Sequence, residues 1–246
     1  MNNRLLRISG LTLQTIASAV IVFFSVYAMA ATEDILINYQ YVVSVLRVLI
    51  LMLVTVAYYK TTISSINPGN PFILCWMLFA SFAELRILSS FSNLTCLTIL
   101  SSRIGVRVQI FSQFMLHFSL IGFALHYQNN DYNAMSSFMI LGTAGILFLS
   151  LISPAAQNIP ALWSLSAPLT MLTIFAAVTL LTHIILAFAE PTSLGSLRHI
   201  ATILMIIGNF ISTVFASLLS AATGTVLFTI GGVTAMIISL RDSVLL

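Results

Sequence analysis

Charged side chains are scarce in this sequence. Nine lysine and arginine residues and six aspartate and glutamate residues occur among 246, which is 6% of the chain, whereas hydrophobic residues make up 59%. A soluble domain carries about 25% charged residues, and a water-soluble fold has no means of burying so much apolar surface. The net charge of +3 rests on few side chains, so we expect no nucleic-acid partner.

Motifs for catalysis and metal binding are also missing. The sequence contains no HExxH, no GxSxG and no glycine-rich phosphate loop. Cys75 and Cys96 match no metal-binding spacing and are interpreted as packing residues. Lys60 is the only lysine, and its place at a helix end argues against a retinal-binding protein. The sequence therefore favours a protein that is not an enzyme and holds no cofactor or metal.

Four histidines raise the question of haem. Paired histidines on facing membrane helices suit haem ligation, but the estimated depths of His117 and His183 differ, so we expect no haem. The other two are interpreted as residues of the cytoplasmic membrane edge: His126 and His199. A hydrogen-bonding patch between helices is predicted instead from three residues of one run: Thr179, Thr182 and His183.

Eight long apolar runs dominate the chain. A helix needs about 20 apolar residues to cross a bilayer, and eight runs approach that length: 11–31, 39–59, 71–91, 106–126, 134–152, 165–189, 199–218 and 221–240. We therefore predict an all-α, polytopic membrane helix bundle with eight transmembrane helices. Residues 1–246 are predicted to form one membrane-embedded domain without a soluble domain.

The first run has a second interpretation. Arg4 and Arg7, followed by an apolar run that ends in Ala-Met-Ala at 28–30, also have the layout of a secretory signal peptide. Cleavage after Ala30 would leave seven spans. The run that begins at Leu11 is longer than the usual signal core of about 7–15 residues, which favours an uncleaved helix.

Basic residues predict the orientation of the spans. With eight spans and a cytoplasmic N-terminus, most basic residues fall on the cytoplasmic side, as the positive-inside rule requires: Arg4, Arg7, Lys60, Arg198 and Arg241. Arg103 is the exception, and both termini are predicted to be cytoplasmic. The layout of seven or eight spans is similar to that of small bacterial inner-membrane proteins, so we predict a bacterial cytoplasmic membrane, with its lipids as partners.

The last two runs are predicted to form a tight helical hairpin. Residues 199–240 contain no Asp, Glu, Lys or Arg and are too long for one crossing, and residues 220–224 are predicted to form the turn. The small or weakly polar residues of these runs are interpreted as packing residues that permit close helix approach: Asn209, Ser212, Thr213, Ser217, Gly231 and Gly232.

A glutamate and an arginine interrupt the third run. Glu84 lies about 20 Å along a helix that begins at Pro71, and Arg47 lies about 12 Å from the outer end of the second helix, at a similar depth. A lone charge inside the bilayer costs about 2.5–3.5 kcal/mol. We therefore predict a buried Arg47–Glu84 ion pair, and we expect Arg86 to extend toward the outer surface.

Arg47 belongs to a mainly polar stripe of the second helix, which is predicted to face the third and fourth helices: Gln40, Ser44, Arg47, Leu51, Thr55 and Tyr58. Polar residues of the fourth run extend this group, and two interpretations of it remain open. In the structural one, the ion pair and interfacial arginines hold three helices in register. In the functional one, the excess of arginine over Glu84 binds a small anion or a lipid headgroup. The candidate ligand-binding residues are Arg47, Glu84, Arg86, Arg103, Arg107, Gln113 and His117.

These observations favour a non-enzymatic sensory, regulatory or assembly module. Its expected partners are membrane lipids, a small anion, or another membrane or cytoplasmic protein. The alternative is a small permease for an anionic or neutral solute, which would need a polar path from Arg47 and Glu84 past His117 to the cytoplasm. An orphan membrane enzyme is a lesser alternative.

Overall fold

Eight α-helices and one short 3-10 turn make up the described part of the computed structural model, and these residues include no strand. The description covers residues 3–31, 35–62, 71–86, 102–128, 132–152, 166–190, 192–214 and 218–244. The helices are α1 (Asn3–Ala31), α2 (Ile35–Thr62), α3 (Pro71–Ala83), α4 (Ser102–Gln128), α5 (Tyr132–Ile152), α6 (Ser166–Ala189), α7 (Ser193–Val214) and α8 (Leu218–Val244). The 3-10 turn, Glu84–Arg86, directly follows α3.

The predicted membrane helix bundle is confirmed, because each predicted apolar run carries a helix. Six of these helices are long and apolar enough to cross a membrane: α1, α2, α4, α6, α7 and α8. Two contain shorter apolar segments, Phe72–Ala83 in α3 and Ser137–Leu151 in α5. The third run is not one continuous α-helix as predicted, since its α-helix ends at Ala83 and Glu84 begins a 3-10 turn, as often happens at helix ends.

Helix α4 lies at the centre of the bundle. In its apolar segment, Arg107–Leu125, 78% of the residues are buried, compared with 22% for the corresponding segment of α6. It packs against α3, α5, α6 and α7. Its buried residues include Gln113 and His117, so the polar face of α4 is turned toward protein and away from lipid.

The outward faces of the other helices are apolar. Leu53 on α2, Leu141 on α5 and Phe188 on α6 are exposed large hydrophobic side chains. In water such a surface would be unfavourable, whereas in a bilayer it contacts lipid tails. Helix α1 belongs to the packed bundle as well, because it lies against α2 and α3 and Gln14 Nε2 donates a hydrogen bond of 3.1 Å to Ser81 Oγ.

Helices α7 and α8 pack closely along their length, which confirms the predicted hairpin. Backbone approaches backbone at Gly208, Gly224 and Gly231, where an added Cβ would clash with main-chain atoms of the opposite helix. The predicted turn at residues 220–224 is wrong, because α8 begins at Leu218 and these residues are helical. Thr223 Oγ1 donates to the carbonyl of Leu219 within α8, and Gly224 serves helix packing instead of a turn.

Candidate functional site

Arg47 lies on a buried face of α2. Helical spacing places Ser44, Arg47, Leu51, Thr55 and Tyr58 on one side of the helix, and all five are buried. The predicted polar stripe of α2 is therefore turned into the bundle. The side chain of Gln40, which belongs to the same predicted stripe, lies outside the described residues.

Arg47 and Glu84 form a buried ion pair. Arg47 Nη1 lies 3.0 Å from Glu84 Oε1, and the two side chains are 3% and 1% exposed. The second carboxylate oxygen, Oε2, accepts a hydrogen bond of 2.6 Å from Ser44 Oγ. Glu84 belongs to the 3-10 turn that follows α3, so the pair connects the middle of α2 with the end of α3.

Two residues of α7 also accept hydrogen bonds from Arg47. Arg47 Nη1 donates to Ser212 Oγ at 3.0 Å, and Nη2 donates to Asn209 Oδ1 at 2.7 Å. Because a guanidinium group only donates, the amide oxygen of Asn209 must face it, which leaves the amide nitrogen to donate elsewhere. Asn209 Nδ2 donates to Gln113 Oε1 on α4 at 2.8 Å. We call this set the arginine network: Ser44, Arg47, Glu84, Gln113, Asn209 and Ser212.

Aromatic packing surrounds the guanidinium. The Arg47 Cζ atom lies 4.6 Å from the centroid of the Phe228 ring on α8, a distance that gives a cation–π attraction. Phe228 in turn packs edge-on against Trp76 of α3, with ring centroids 5.8 Å apart. A cavity of about 10 Å³ lies beside Arg47 and is lined mainly by apolar residues. That volume suits one water molecule at most, so no anion fits there in this arrangement.

The remaining predicted site residues divide into two groups. His117 is 1% exposed, and neither of its ring nitrogens has a hydrogen-bond partner among the described residues. Arg107 is half-buried, and within the same set its Nε atom is also without a hydrogen bond. Arg103 lies on α4 and Arg86 ends the 3-10 turn, but their side chains lie outside the described residues. A ligand-binding role of these arginines therefore stays a prediction.

The sequence interpretation missed the contribution of α7. Asn209 and Ser212 were expected to serve packing, but they hydrogen-bond to Arg47. One signal was available. Asn209 carries a primary amide in a run without charges, and such a group inside a membrane helix requires hydrogen-bond partners. The sequence does not show which helix supplies those partners.

A second polar cluster lies where α6 meets α7, and we call it the histidine cluster: His183, Glu190, Arg198 and His199. His183 Nδ1 lies 3.0 Å from His199 Nδ1, and His183 Nε2 lies 3.1 Å from the carbonyl oxygen of Leu120 on α4. Glu190 Oε2 lies 3.9 Å from Arg198 Nη2 and 4.0 Å from His199 Nε2. His199 is thus buried in an interhelical contact, which the sequence did not predict.

The predicted hydrogen-bonding patch is only partly present. His183 does bond across helices. The hydroxyl groups of Thr179 and Thr182 instead donate to carbonyls of their own helix, at Phe175 and Val178. Bonding to the preceding turn is a common arrangement for threonine in membrane helices, so histidine supplies the interhelical contact.

Helix α4 connects the two polar clusters. Gln113 belongs to the arginine network, His117 follows one turn later, and Leu120 accepts from the histidine cluster. From Gln113 to Leu120 the helix rises by about 10 Å. Buried polar groups thus continue from one cluster toward the other along the central helix.

Among the described residues, no three His, Cys, Asp or Glu side chains are grouped so that they could hold a metal ion. Comparison of the chain with protein-family models, with curated proteins and with solved structures finds no match.

Proposed function

We propose that this chain is a non-enzymatic inner-membrane protein with a sensory, regulatory or assembly role. The observation that carries the proposal is the arginine network. One guanidinium joins α2, the end of α3 and α7, and through Asn209 it is connected to α4. Discrete polar contacts between helices are elements that a ligand or partner can redistribute between two arrangements. The network is suited to report such an event across the bundle.

A small anion or lipid headgroup is the proposed signal. Glu84 already neutralises Arg47, so Arg86, Arg103 and Arg107 are the residues proposed to attract the negative group. Guanidinium groups bind phosphate and carboxylate in a bidentate manner. Two buried groups on α4 support a ligand nearby, because His117 and Gln109 Nε2 have no hydrogen-bond partner among the described residues. Buried polar groups of this kind normally bind protein, water or a ligand.

Thermal unfolding in lipid nanodiscs tests this proposal. We expect anionic phosphatidylglycerol, or soluble glycerol phosphate added to phosphatidylcholine nanodiscs, to raise the Tm by several degrees. Saturating ligand stabilises by about 2.7 kcal/mol at a hundredfold excess over Kd. The lipid arm and the soluble arm distinguish a headgroup from a free anion. Arg107→Gln should remove the shift, whereas Arg241→Gln, at an exposed arginine of α8, should retain it. Equal shifts in both variants would contradict a specific site.

Transport is the second candidate function. It is favoured by the polar groups that continue from the arginine network through His117 to the histidine cluster. Flux of organic anions into liposomes, compared between the parent and Arg47→Ala, separates the candidates. Strong flux that depends on Arg47 would support a permease and reject the sensory role. No flux above that of empty liposomes would support the sensory role.

Orientation in the membrane is a separate prediction. We expect a cysteine at position 32 to react with an impermeant maleimide in intact cells, and one at position 61 to react only after permeabilisation, because basic residues remain on the cytoplasmic side. Cys75 and Cys96 are replaced by serine beforehand to remove background labelling. The reverse pattern would overturn the predicted cytoplasmic termini.

A further inference from the structure

The hydrogen bonds of the histidine cluster determine where its protons lie. The carbonyl oxygen of Leu120 only accepts, so His183 Nε2, 3.1 Å away, must carry a proton. In a neutral His183 the other nitrogen, Nδ1, is then an acceptor. His199 Nδ1 lies 3.0 Å from it, so His199 must donate and carries its proton on Nδ1. One consistent assignment follows for two neutral rings.

This assignment leaves a basic nitrogen facing a carboxylate. With its proton on Nδ1, a neutral His199 has a lone pair on Nε2, and that atom has no hydrogen-bond partner within the described part of the chain. Glu190 Oε2 lies 4.0 Å from it. Two acceptors that face each other repel, whereas a proton between them would turn the contact into a charge-assisted hydrogen bond. The geometry has a place for one more proton.

Glu190 is positioned at the boundary between interior and surface. Its side chain is 23% exposed, whereas that of His199 is 1% exposed, so the carboxylate can exchange protons with solvent while the imidazole lies behind it. Thr192 caps the start of α7, where its Oγ1 accepts from Gly195 N at 3.1 Å. Gly195 makes room for Glu190, because a Cβ at that position would clash with the Glu190 side chain.

In the described part of the chain, few other charged groups are found beside the cluster. Arg198 Nη2 lies 3.9 Å from the same oxygen of Glu190. On α4, His117 is the nearest titratable residue before Leu120 in the sequence. The side chain of His126 lies outside the described residues. On α8, Arg241 occupies the last turn. An arginine near a protonated imidazole opposes the added charge, so Glu190 is the group that makes the added proton favourable.

We propose that Glu190, His199 and His183 form a proton-binding site, in which a proton given up by hydronium in the solvent is held between His199 Nε2 and Glu190. The proton adds to Nε2 and makes His199 an imidazolium. The Nδ1 proton of His199 stays in the 3.0 Å hydrogen bond to His183 Nδ1. His183 stays neutral and keeps its Nε2 proton on the Leu120 carbonyl. The site goes beyond the proposed function, because it uses no residue of the arginine network.

Nitrogen-15 NMR of histidine-labelled protein in nanodiscs tests the site. The four histidine signals are assigned with single His→Gln variants, and each is followed from pH 4 to pH 9. We expect a coupling across the hydrogen bond between the two Nδ1 atoms at high pH. We also expect protonation of the His183–His199 pair as the pH falls, with about tenfold weaker proton binding in Glu190→Gln, a change of one pH unit.

Two further variants keep the test independent of folding and of the arginine network. Gly195→Ala displaces the flexible Glu190 side chain and leaves both histidines in place, so it should weaken proton binding in the same direction as Glu190→Gln. Gly145→Ala on α5 lies outside the arginine network, its added Cβ meets no atom within 4 Å, and it should leave the titration unchanged. An equal titration midpoint in the parent, Glu190→Gln and Gly195→Ala would overturn the proposal, as would the absence of any coupling between the two rings.

Discussion

Glu84→Ala is expected to lower the free energy of unfolding in detergent by about 3–5 kcal/mol, the usual effect of removing one partner of a buried ion pair. The loss is large because Arg47, a residue that is 2% exposed, loses the carboxylate that lies 3.0 Å from its Nη1. Its neutral partners, Ser212 and Asn209, cannot replace a carboxylate. Thermal unfolding of the purified protein, followed by helical circular dichroism, measures the change.

The double variant tests whether the two charges are coupled. Combining Glu84→Ala with Arg47→Leu removes both charges and should recover part of the stability lost in Glu84→Ala. Recovery should be incomplete, because Asn209 and Ser44 also lose a partner, and interhelical hydrogen bonds in membrane proteins average about 0.6 kcal/mol. Arg241→Leu, at an exposed arginine, serves as the control. A double variant no more stable than Glu84→Ala would mean that Arg47 and Glu84 are not energetic partners.

Gly224→Leu is expected to separate α7 from α8 and to destabilise the protein by more than the 1–3 kcal/mol or so that is typical of overpacking. A Cβ at position 224 would lie 2.6 Å from Gly208 O and 2.6 Å from Ser212 N. Both atoms belong to the main chain, so no side-chain rotation relieves the contact. Since Ser212 also accepts from Arg47, the same change should disturb the arginine network.

Gly145→Ala is the matched control for this variant. A Cβ at Gly145 on α5 meets no atom within 4 Å, so the substitution should be neutral or slightly stabilising, since alanine favours a helix over glycine by about 0.8–1.0 kcal/mol. Thermal unfolding of Gly145→Ala, Gly224→Ala and Gly224→Leu measures their order of stability, in which Gly224→Ala should be intermediate. Equal stability of Gly224→Leu and the parent would contradict the close approach of the two helices.

The scarcity of charge explains why part of this site is visible in the sequence. A membrane interior makes each ionised group costly. Arg47 and Glu84 lie at similar estimated depth on neighbouring runs, and the sequence offers few other charged residues that could neutralise either of them. The same reasoning placed the polar stripe of α2 inside the bundle. Apolar length alone was enough to locate the eight α-helices that the structure describes.

Neutral polar residues gave no comparable signal. Asn209 and Ser212 lie 162 and 165 positions from Arg47, and asparagine or serine in a membrane helix is compatible with packing alone. His199 was assigned to a membrane edge from its position along the run. That position gives a depth, but it does not show which neighbouring helix the ring contacts. The turn at residues 220–224 was wrong because small residues serve both turns and close helix packing, and only the contact with Gly208 distinguishes the two.

The distance between Arg47 and Glu84 tests most directly whether the arginine network forms in a bilayer. Solid-state NMR of protein labelled with carbon-13 at glutamate Cδ and nitrogen-15 at the arginine guanidinium measures it. Glu190→Gln removes the other Glu–Arg contact among the described residues, that with Arg198. We predict strong dephasing of the Glu84 Cδ signal by the guanidinium nitrogen of Arg47, whose Nη1 lies 3.0 Å from Glu84 Oε1. This dephasing should be lost in Arg47→Leu. A Glu84 signal unaffected by Arg47, at a separation beyond the roughly 4–6 Å over which opposite charges stabilise each other, would contradict the account.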